Sequence, residues 1–267
     1  KNNDTFILEE LEKIKQTIKD PSIYNNALDK YIKTKAISDT FRICYVQIVF
    51  KEIRGLIRVY AQFVLDEMTF KEFIARNGYW ANKQSYQFGV KSYNCFNVKN
   101  LFLQGEFNLV RPYMYSHYDG EDNYAHLNQP LAHPWGANFY EVVARAQYNY
   151  KRFYFQYKMN FGQWGDDITT EDGEFQYFGH DIYQNYYDYY HIEGENGKYG
   201  HYLLTGELNT LMMNNFVVSW LANPSYNLNI FAEITHRNQQ IEGLDNINNF
   251  IISFGIRTTL DRKYYDF

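Results

Sequence analysis

Long stretches in which apolar and polar residues alternate with a period of two constrain this chain most. The clearest are Asn100–Val110, Tyr140–Tyr150, Lys151–Gln163, Leu228–Arg237 and Asn249–Leu260. Such alternation predicts β-strands with one apolar and one polar face. Strands of globular proteins usually have about five or six residues, whereas a tilted strand needs about nine to eleven to cross a membrane. The pattern therefore predicts an all-β protein, an antiparallel transmembrane β-barrel.

The composition suits a wall between lipid and water. Aromatic residues make up 19% of the chain, with 27 Tyr and 21 Phe, although the chain is polar on average. Tyr and Trp combine an apolar ring with a polar edge. A Tyr-rich soluble sandwich or carbohydrate-binding module is the alternative that composition leaves open. The sequence has no apolar run of about 18 residues, so a membrane-spanning helix is excluded and a barrel is the remaining way across.

Short and long connections alternate between the predicted strands. The short ones lie near Lys51–Ile53, Phe96–Val98, Tyr150–Lys151 and Asn223–Asn227. The long ones span roughly Glu67–Lys83, Pro112–Ala137, Trp164–His201 and Asn238–Asn248. Outer-membrane barrels have short periplasmic turns and long extracellular loops. The pattern therefore predicts a location in the bacterial outer membrane, with Phe267 expected in the periplasm as the C-terminal aromatic residue that the barrel-assembly machinery would contact.

The first residues differ from the rest of the chain. Within 1–38, apolar residues recur at helical spacing, with Asp4 as an N-cap and Pro21 as a stop, which predicts a short helical segment. A helical pair or ordered linker and a plug or lid are both open as its role. Residues 39–267 form the barrel portion, with about nine strands beginning near Phe41. Because an odd strand number is unusual for bacterial barrels, we expect either a C-terminal portion of a larger barrel or a misassigned first strand.

Several functions are excluded or disfavoured by the residues. The net charge of −5, without a basic stripe, argues against a nucleic-acid partner. No nucleophile motif or Gly-rich phosphate loop occurs, so we expect neither an enzyme nor a cofactor, and a membrane-embedded hydrolase is disfavoured. Cys44 and Cys95 are expected on strands about 10 Å apart, beyond the reach of a disulfide.

One stretch of the second long connection resembles a known family. Residues 126–141 read His-Leu-Asn-Gln-Pro-Leu-Ala-His-Pro-Trp-Gly-Ala-Asn-Phe-Tyr-Glu. This stretch, with weaker matches at 59–67, 78–83, 223–229 and 264–267, resembles the Wzi family of capsule-assembly outer-membrane barrels, in particular the branch with RemB-like gliding-motility proteins. The resemblance implies a large barrel that binds surface polysaccharide and holds it at the outer membrane without chemistry. A passive diffusion porin is the alternative.

The same connection carries residues suited to sugars. Amide and imidazole groups match pairs of hydroxyls, and aromatic faces stack on pyranose rings. The predicted polysaccharide-binding residues are His126, Asn128, Gln129, His133, Trp135, Asn138 and Glu141. A second interpretation is that Pro130, Pro134 and Gly136 shape a rigid loop that folds over the barrel mouth.

The histidines of this connection and nearby acidic residues raise the question of a metal. His117, His126 and His133 lie in one connection with Asp119, Glu121 and Asp122. Their spacing matches no pattern of zinc or calcium ligands, and neither does the acidic run from Asp166 to Glu174. We therefore predict no metal site.

Charged and amide residues on the polar side of the strands are predicted to face the barrel lumen. They are Arg58, Gln62, Lys91, Gln104, Glu106, Arg145, Arg152, Lys158, Glu233, Arg237 and Arg257. Positively and negatively charged side chains both occur on this polar side of the strands, so a strongly ion-selective pore is not indicated. Charge pairs between strands that fill the interior, and contacts with a substrate, are both open interpretations.

Overall fold

The computed structural model describes residues 35–36, 42–52, 55–117, 123–127, 129–185 and 197–258. The strands are β1 Lys35–Ala36, β2 Arg42–Glu52, β3 Gly55–Leu65, β4 Gln84–Tyr93, β5 Leu101–Val110, β6 Ala125–His126, β7 Gln129–Pro130, β8 Phe139–Tyr150, β9 Phe153–Asp166, β10 Ile168–Thr169, β11 Phe175–Gln176, β12 Glu207–Asn223, β13 Leu228–Ile241 and β14 Ile247–Arg257. A short helix, α1, spans Phe70–Ala75. The predicted all-β class is confirmed.

The main sheet is antiparallel and follows chain order. Its ten strands are arranged β1-β2-β3-β4-β5-β8-β9-β12-β13-β14, so β1 and nine long strands each pair with the next. The pairs β6–β7 and β10–β11 form two small separate sheets. The first and last strands lie at opposite edges, and the sheet is open within the described residues. None of the described helices is long and apolar enough to span a membrane.

The register gives the sheet an apolar face and a polar face. Residues directly opposite each other in an antiparallel sheet point to the same side. One row across the sheet is apolar throughout: Leu101, Tyr148, Phe155, Val218, Ala232 and Phe254. The strand residues predicted to face the lumen all lie on the other side, which we call the polar face.

Among the described residues, no second sheet covers the apolar face. A soluble sandwich would bury Leu101, Phe155 and Ile230 between two stacked sheets. In the described part of the chain the large sheet has no such partner, Leu101 and Phe155 are half-buried, and Ile230 is 46% exposed. The sandwich alternative therefore does not describe this fold.

Three of the short turns and the three longest connections lie close to where they were predicted. The short turn near Lys51–Ile53 lies partly outside the described residues, and the fourth long connection was wrong. β13 continues to Ile241, and only residues 242–246 separate it from β14. Residues 236–240 resemble a loop in sequence because they are polar at successive positions, yet they pair regularly with β12 and β14. The strand thus extends beyond the apolar region of the sheet.

Two residue assignments also need correction. Arg152 was predicted to face the lumen, but it lies exposed in the turn between β8 and β9, because β9 begins one residue later. Lys35–Ala36, placed in the helical segment, form β1 and pair with Ile43 and Arg42. The rest of 1–38, the predicted strand start at Phe41 and the C-terminal Phe267 lie outside the described residues.

The two cysteines are separated along the sheet as well as across it. Cys44 pairs with Phe63, near the ends of the strands that lead into the long connections. Cys95 is a free cysteine in the short turn after β4, at the opposite end. The register thus keeps their Cα atoms beyond disulfide distance.

The buried core lies at one end of the sheet rather than across it. The three long connections, residues 66–83, 111–138 and 167–206, meet there, and we call their described parts the cap. Backbone hydrogen bonds join them, including Trp80 N–H to Lys198 O and Tyr113 N–H to Gly179 O. The fully buried aromatic side chains, such as Tyr113, Tyr177 and Phe139, belong to the cap or to the strand end beside it.

Candidate functional site

The cap places one of its segments against the polar face of the sheet. Trp135 N–H donates to Nδ1 of His133 at 3.2 Å. Because Nδ1 is the acceptor, the ring proton is on Nε2, which donates to Oε2 of Glu141 at 3.0 Å. Glu141 belongs to β8, so this contact fixes the segment on the wall of the sheet.

Trp135 sits where the sheet has no side chain. A Cβ atom built on Gly162 of β9 would lie 2.4 Å from the Trp135 ring, so only glycine leaves room for it there. The indole also packs against Trp164 and Phe139, with ring centroids 5.2 and 5.7 Å away. A Gly inside a strand often marks such a close approach. The ring is therefore held in one position, half-buried.

Beside Trp135 lies a groove of about 630 Å³ between the segment His133–Trp135 and the polar face. Its walls are formed by those three residues and by side chains of β5, β8 and β9: Gln104, Glu106, Glu141, Val143, Arg145, Gln156, Lys158 and Asn160. An aromatic ring therefore stands next to amides, carboxylates and cations, which is the composition of a site for a polyhydroxylated ligand.

The two carboxylates of the groove are held by uncharged or imidazole donors. Glu141 accepts from Asn160 at 2.7 Å and from Asn108 at 3.1 Å, in addition to His133. Glu106 accepts from Asn108 at 3.1 Å, from Gln87 at 3.2 Å and from the hydroxyl of Tyr60. Both oxygens of each carboxylate thus have a donor, which fixes the carboxylates as part of the wall.

Tyr60 crosses the polar face in the same way as Trp135. Its ring lies over Gly89, where an added Cβ would be 2.0 Å from the ring, and reaches Glu106 two strands away. A smaller cavity of about 280 Å³ lies on the other side of His133. It is bounded by Leu131, Ala132 and the ends of β3, β4 and β5 nearest the cap. His133 therefore separates the two cavities.

The structure brings together only some of the predicted polysaccharide-binding residues. His133, Trp135 and Glu141 line the groove. His126 and Gln129 are exposed on the β6–β7 hairpin, where they pair with each other. Asn128 lies outside the described residues.

Asn138 has a structural contact where the sequence predicted a sugar contact. Its side chain is fully buried. The amide nitrogen donates to Gly165 O at 2.8 Å and to Thr205 O at 2.7 Å, and the amide oxygen accepts from Leu204 N–H at 2.8 Å. Asn138 therefore joins the second long connection to the third, and no part of it faces a ligand.

The histidines of the cap do not converge on one point. His126 is exposed, His133 contacts Glu141, and His117 lies 3.5 Å from Asp66. Asp66, Glu67 and His117 form the one cluster of possible metal ligands among the described residues. Asp119, Glu121 and Asp122 lie outside the described residues.

The side-chain ammonium group of Lys83 lies next to this cluster. The buried ammonium of Lys83 lies 3.8 Å from both Asp66 and Glu67 and donates to Ser116 O at 2.9 Å. Burial raises the pKa of Asp66, although Lys83 and His117 oppose the change. Burial also lowers the pKa of Lys83. The cluster ties the first connection to the second and fits a structural role.

The acidic run of the third connection contributes a second structural clamp. The carboxylate of Asp167 accepts from backbone N–H groups of Phe178 at 2.6 Å, Asp181 at 2.9 Å and His180 at 3.4 Å. Three donors around one carboxylate close this part of the loop.

Comparisons with protein-family models, with curated proteins and with solved structures give no match to this chain. The groove therefore has to be interpreted from its own chemistry.

Two glycines and one tyrosine that shape the polar face at and near the groove were not predicted from the sequence. Gly162 and Gly89 receive the rings of Trp135 and Tyr60, and Tyr60 itself lies on the polar face despite its aromatic side chain. A glycine inside a strand is a signal of a close approach, and applying it to β4 and β9 would have found both positions. Gln156 and Asn160, at polar positions of β9, were also not predicted as part of a site.

Proposed function

We propose that this chain forms part of an outer-membrane β-barrel that binds surface polysaccharide, with the groove beside Trp135 as its binding site. No bond of the ligand is made or broken in this proposal. The role is to hold or organise a glycan at the cell surface.

The two faces of the sheet support the barrel and its location. Large apolar side chains are exposed along one face, among them Phe216, Ile234, Phe250, Ile252 and Phe254. Hydrocarbon is the surrounding in which such a face is stable, and a barrel is the closed form in which strands cross a bilayer. The opposite face carries amides and charges, as the wet interior of a barrel does.

The position of Trp135 is the observation that carries the proposal for a glycan. The ring is fixed over Gly162 and lines a groove whose other walls are rich in amides and charged groups. Aromatic faces stack on sugar rings, while Gln104, Gln156 and Asn160 supply donors and acceptors in the pairs that vicinal hydroxyls need.

A binding role is favoured over catalysis by the state of the carboxylates. Glu106 and Glu141 both accept hydrogen bonds at each oxygen. Hydrogen bonds of this kind favour the ionised form of a carboxylate and lower its tendency to take up a proton. The resemblance to the Wzi family adds capsule assembly, and a link to gliding motility through the RemB-like branch, to the same proposal.

Replacement of Trp135 tests the proposal. The purified chain is applied to an array of bacterial surface polysaccharides, and Trp135→Ala is expected to lower retention by about ten-fold or more. Trp220→Ala is the matched control, because Trp220 is 41% exposed on the apolar face. Equal retention by Trp135→Ala and the unmodified chain would contradict the groove as the site.

A passive diffusion porin remains the rival, and conductance separates the two. The segment His133–Trp135 lies on the polar face and would narrow a pore. In planar bilayers, we expect a low conductance that rises when the segment is displaced by Gly162→Ala. A steady large conductance in the unmodified protein would favour the porin.

A further inference from the structure

The cations of the polar face form a single row across neighbouring strands. The register pairs Arg58 with Lys91, Lys91 with Gln104, Gln104 with Arg145, and Arg145 with Lys158. Four of these five side chains are positively charged, and adjacent strands lie about 4.8 Å apart. The row thus runs perpendicular to the strands and enters the groove at Arg145 and Lys158. The similar totals of basic and acidic residues in the sequence, 26 and 31, do not reveal this arrangement.

The carboxylates nearest the row are hydrogen-bonded to other side chains and, within the described residues, are not paired with its cations. Glu106 and Glu141 lie in the next two rows toward the cap, where Tyr60, Gln87, Asn108, His133 and Asn160 donate to them. Among the described residues, none of the four cations forms an ion pair. In the described part of the chain, each of these carboxylates therefore has its own donors, and the cations beside them have no ion-pair partner.

The contacts that the cations do make leave their charge available. Arg145 donates to Gln156 at 3.2 Å, and the Lys91 ammonium lies 4.9 Å from the centre of the Tyr60 ring. The buried Nε of Arg58 has no acceptor in the described part of the chain, and Lys158 has no hydrogen bond there. Several positive groups held side by side produce a positive potential that attracts an anion.

We infer that the ligand of the groove is an acidic glycan, whose carboxylate, sulfate or phosphate groups bind along the row Arg58–Lys91–Arg145–Lys158. This inference rests on the proposed function and adds the chemical class of the polysaccharide. Charge-assisted hydrogen bonds to the anionic groups supply affinity, while Trp135 and the amides of the groove contact the sugar rings.

Binding of two defined polymers tests the inference. The full chain in detergent micelles is titrated with fluorescent oligogalacturonate, which carries carboxylates, and with fluorescent dextran, which is neutral. We expect tighter binding of the galacturonate and a decrease in affinity as salt is added. Arg145→Gln/Lys158→Gln should weaken galacturonate binding by about ten-fold or more and should weaken dextran binding much less.

Matched variants separate the row from net charge and from misfolding. Lys151→Gln/Arg152→Gln removes the same charge from an exposed turn, and it should bind galacturonate as the unmodified chain does. Arg145→Lys/Lys158→Arg keeps the charges and should retain most of the affinity. Equal losses in the turn variant and the row variant would overturn the inference.

The inference and the proposed function fail in different ways. If dextran and galacturonate bind equally and the row variant changes neither, the groove binds glycans but the inference is wrong. If neither polymer binds and the polysaccharide array also gives no retention, the proposed function fails and the inference fails with it.

Discussion

The cap and the last strands of the sheet are opposites in how their apolar residues are placed. In the cap and at the strand end beside it, Tyr113, Met114, Ala137 and Phe139 have no exposed surface. Along β14, every residue is exposed except the half-buried Gly255, and Phe254 is 85% exposed. The cap therefore buries its apolar groups within the chain, whereas β14 depends on what surrounds it.

The difference extends to polar groups. Asn138 and Lys83 are fully buried in the cap and hydrogen-bonded to backbone carbonyls of neighbouring segments. Polar side chains of β13 and β14 remain on the surface of the polar face. A rigid cap on one end of a sheet allows the groove beneath it to keep a fixed shape, and this is what a preorganised binding site requires.

The largest expected effect compares one substitution in the two regions. Phe139→Ala opens a cavity in the buried cluster and should lower the free energy of unfolding by about 3–5 kcal/mol. Phe254→Ala removes the same atoms from an exposed position and should cost less than about 1 kcal/mol. Denaturant unfolding of both variants in one detergent measures the two changes in the free energy of unfolding. Similar losses would mean that the two regions do not differ as described.

The next effect concerns hydrogen bonds of the cap. Asn138→Ala removes the contacts with Gly165, Thr205 and Leu204 and leaves buried carbonyls without donors, which should cost about 2–3 kcal/mol. Limited proteolysis should then cut within residues 129–138 sooner. Asn149→Ala, at an exposed strand end, is the control and should leave the cleavage rate unchanged.

A smaller effect is expected where the cap meets the sheet. Gly162→Ala places a methyl group against the Trp135 ring, while at Gly105 an added Cβ meets nothing within 4 Å. Gly162→Ala should shift tryptophan fluorescence and weaken glycan binding about five-fold. Gly105→Ala should do neither. A normal affinity with Gly162→Ala would show that the position of Trp135 is irrelevant to binding.

The smallest effect is a dependence of cap stability on pH. Burial lowers the pKa of His201 below its ordinary value of 6.5. As the pH falls below about 6.5, His201 is protonated in the unfolded chain before it is protonated in the folded chain. The free energy of unfolding should therefore decrease as the pH falls below that value. His201→Gln should reduce this decrease relative to the unmodified protein, and His126→Gln, at an exposed position, should not. An identical pH profile for His201→Gln would contradict the assignment.

Local patterns explain why the strands were predictable from sequence and the cap was not. The period of two in β5, β8 and β9 is visible within ten residues or so, and it identified both faces. The hydrogen bond from the Asn138 side chain to Thr205 O joins residues that are 67 positions apart in the sequence. No local pattern indicates such a contact, so Asn138 was taken for a ligand-binding residue.

The residues of the proposed binding site were predicted only in part for the same reason. His133, Trp135 and Glu141 are close in sequence and were found together, but the row from Arg58 to Lys158 exists only through the register of five strands. β13 was cut short in the prediction because polar residues follow one another where the strand extends past the apolar region.

The central claim is that the two faces of the sheet meet different solvents, and spin labelling tests it most directly. Single nitroxide labels are placed at Ile252, Ser253 and Phe254 in a background without Cys44 and Cys95, and the protein is reconstituted into lipid bilayers. The account predicts that labels at 252 and 254 collide with oxygen dissolved in the lipid, while the label at 253 collides with a water-soluble nickel complex. Equal access of the nickel complex to all three labels would contradict it.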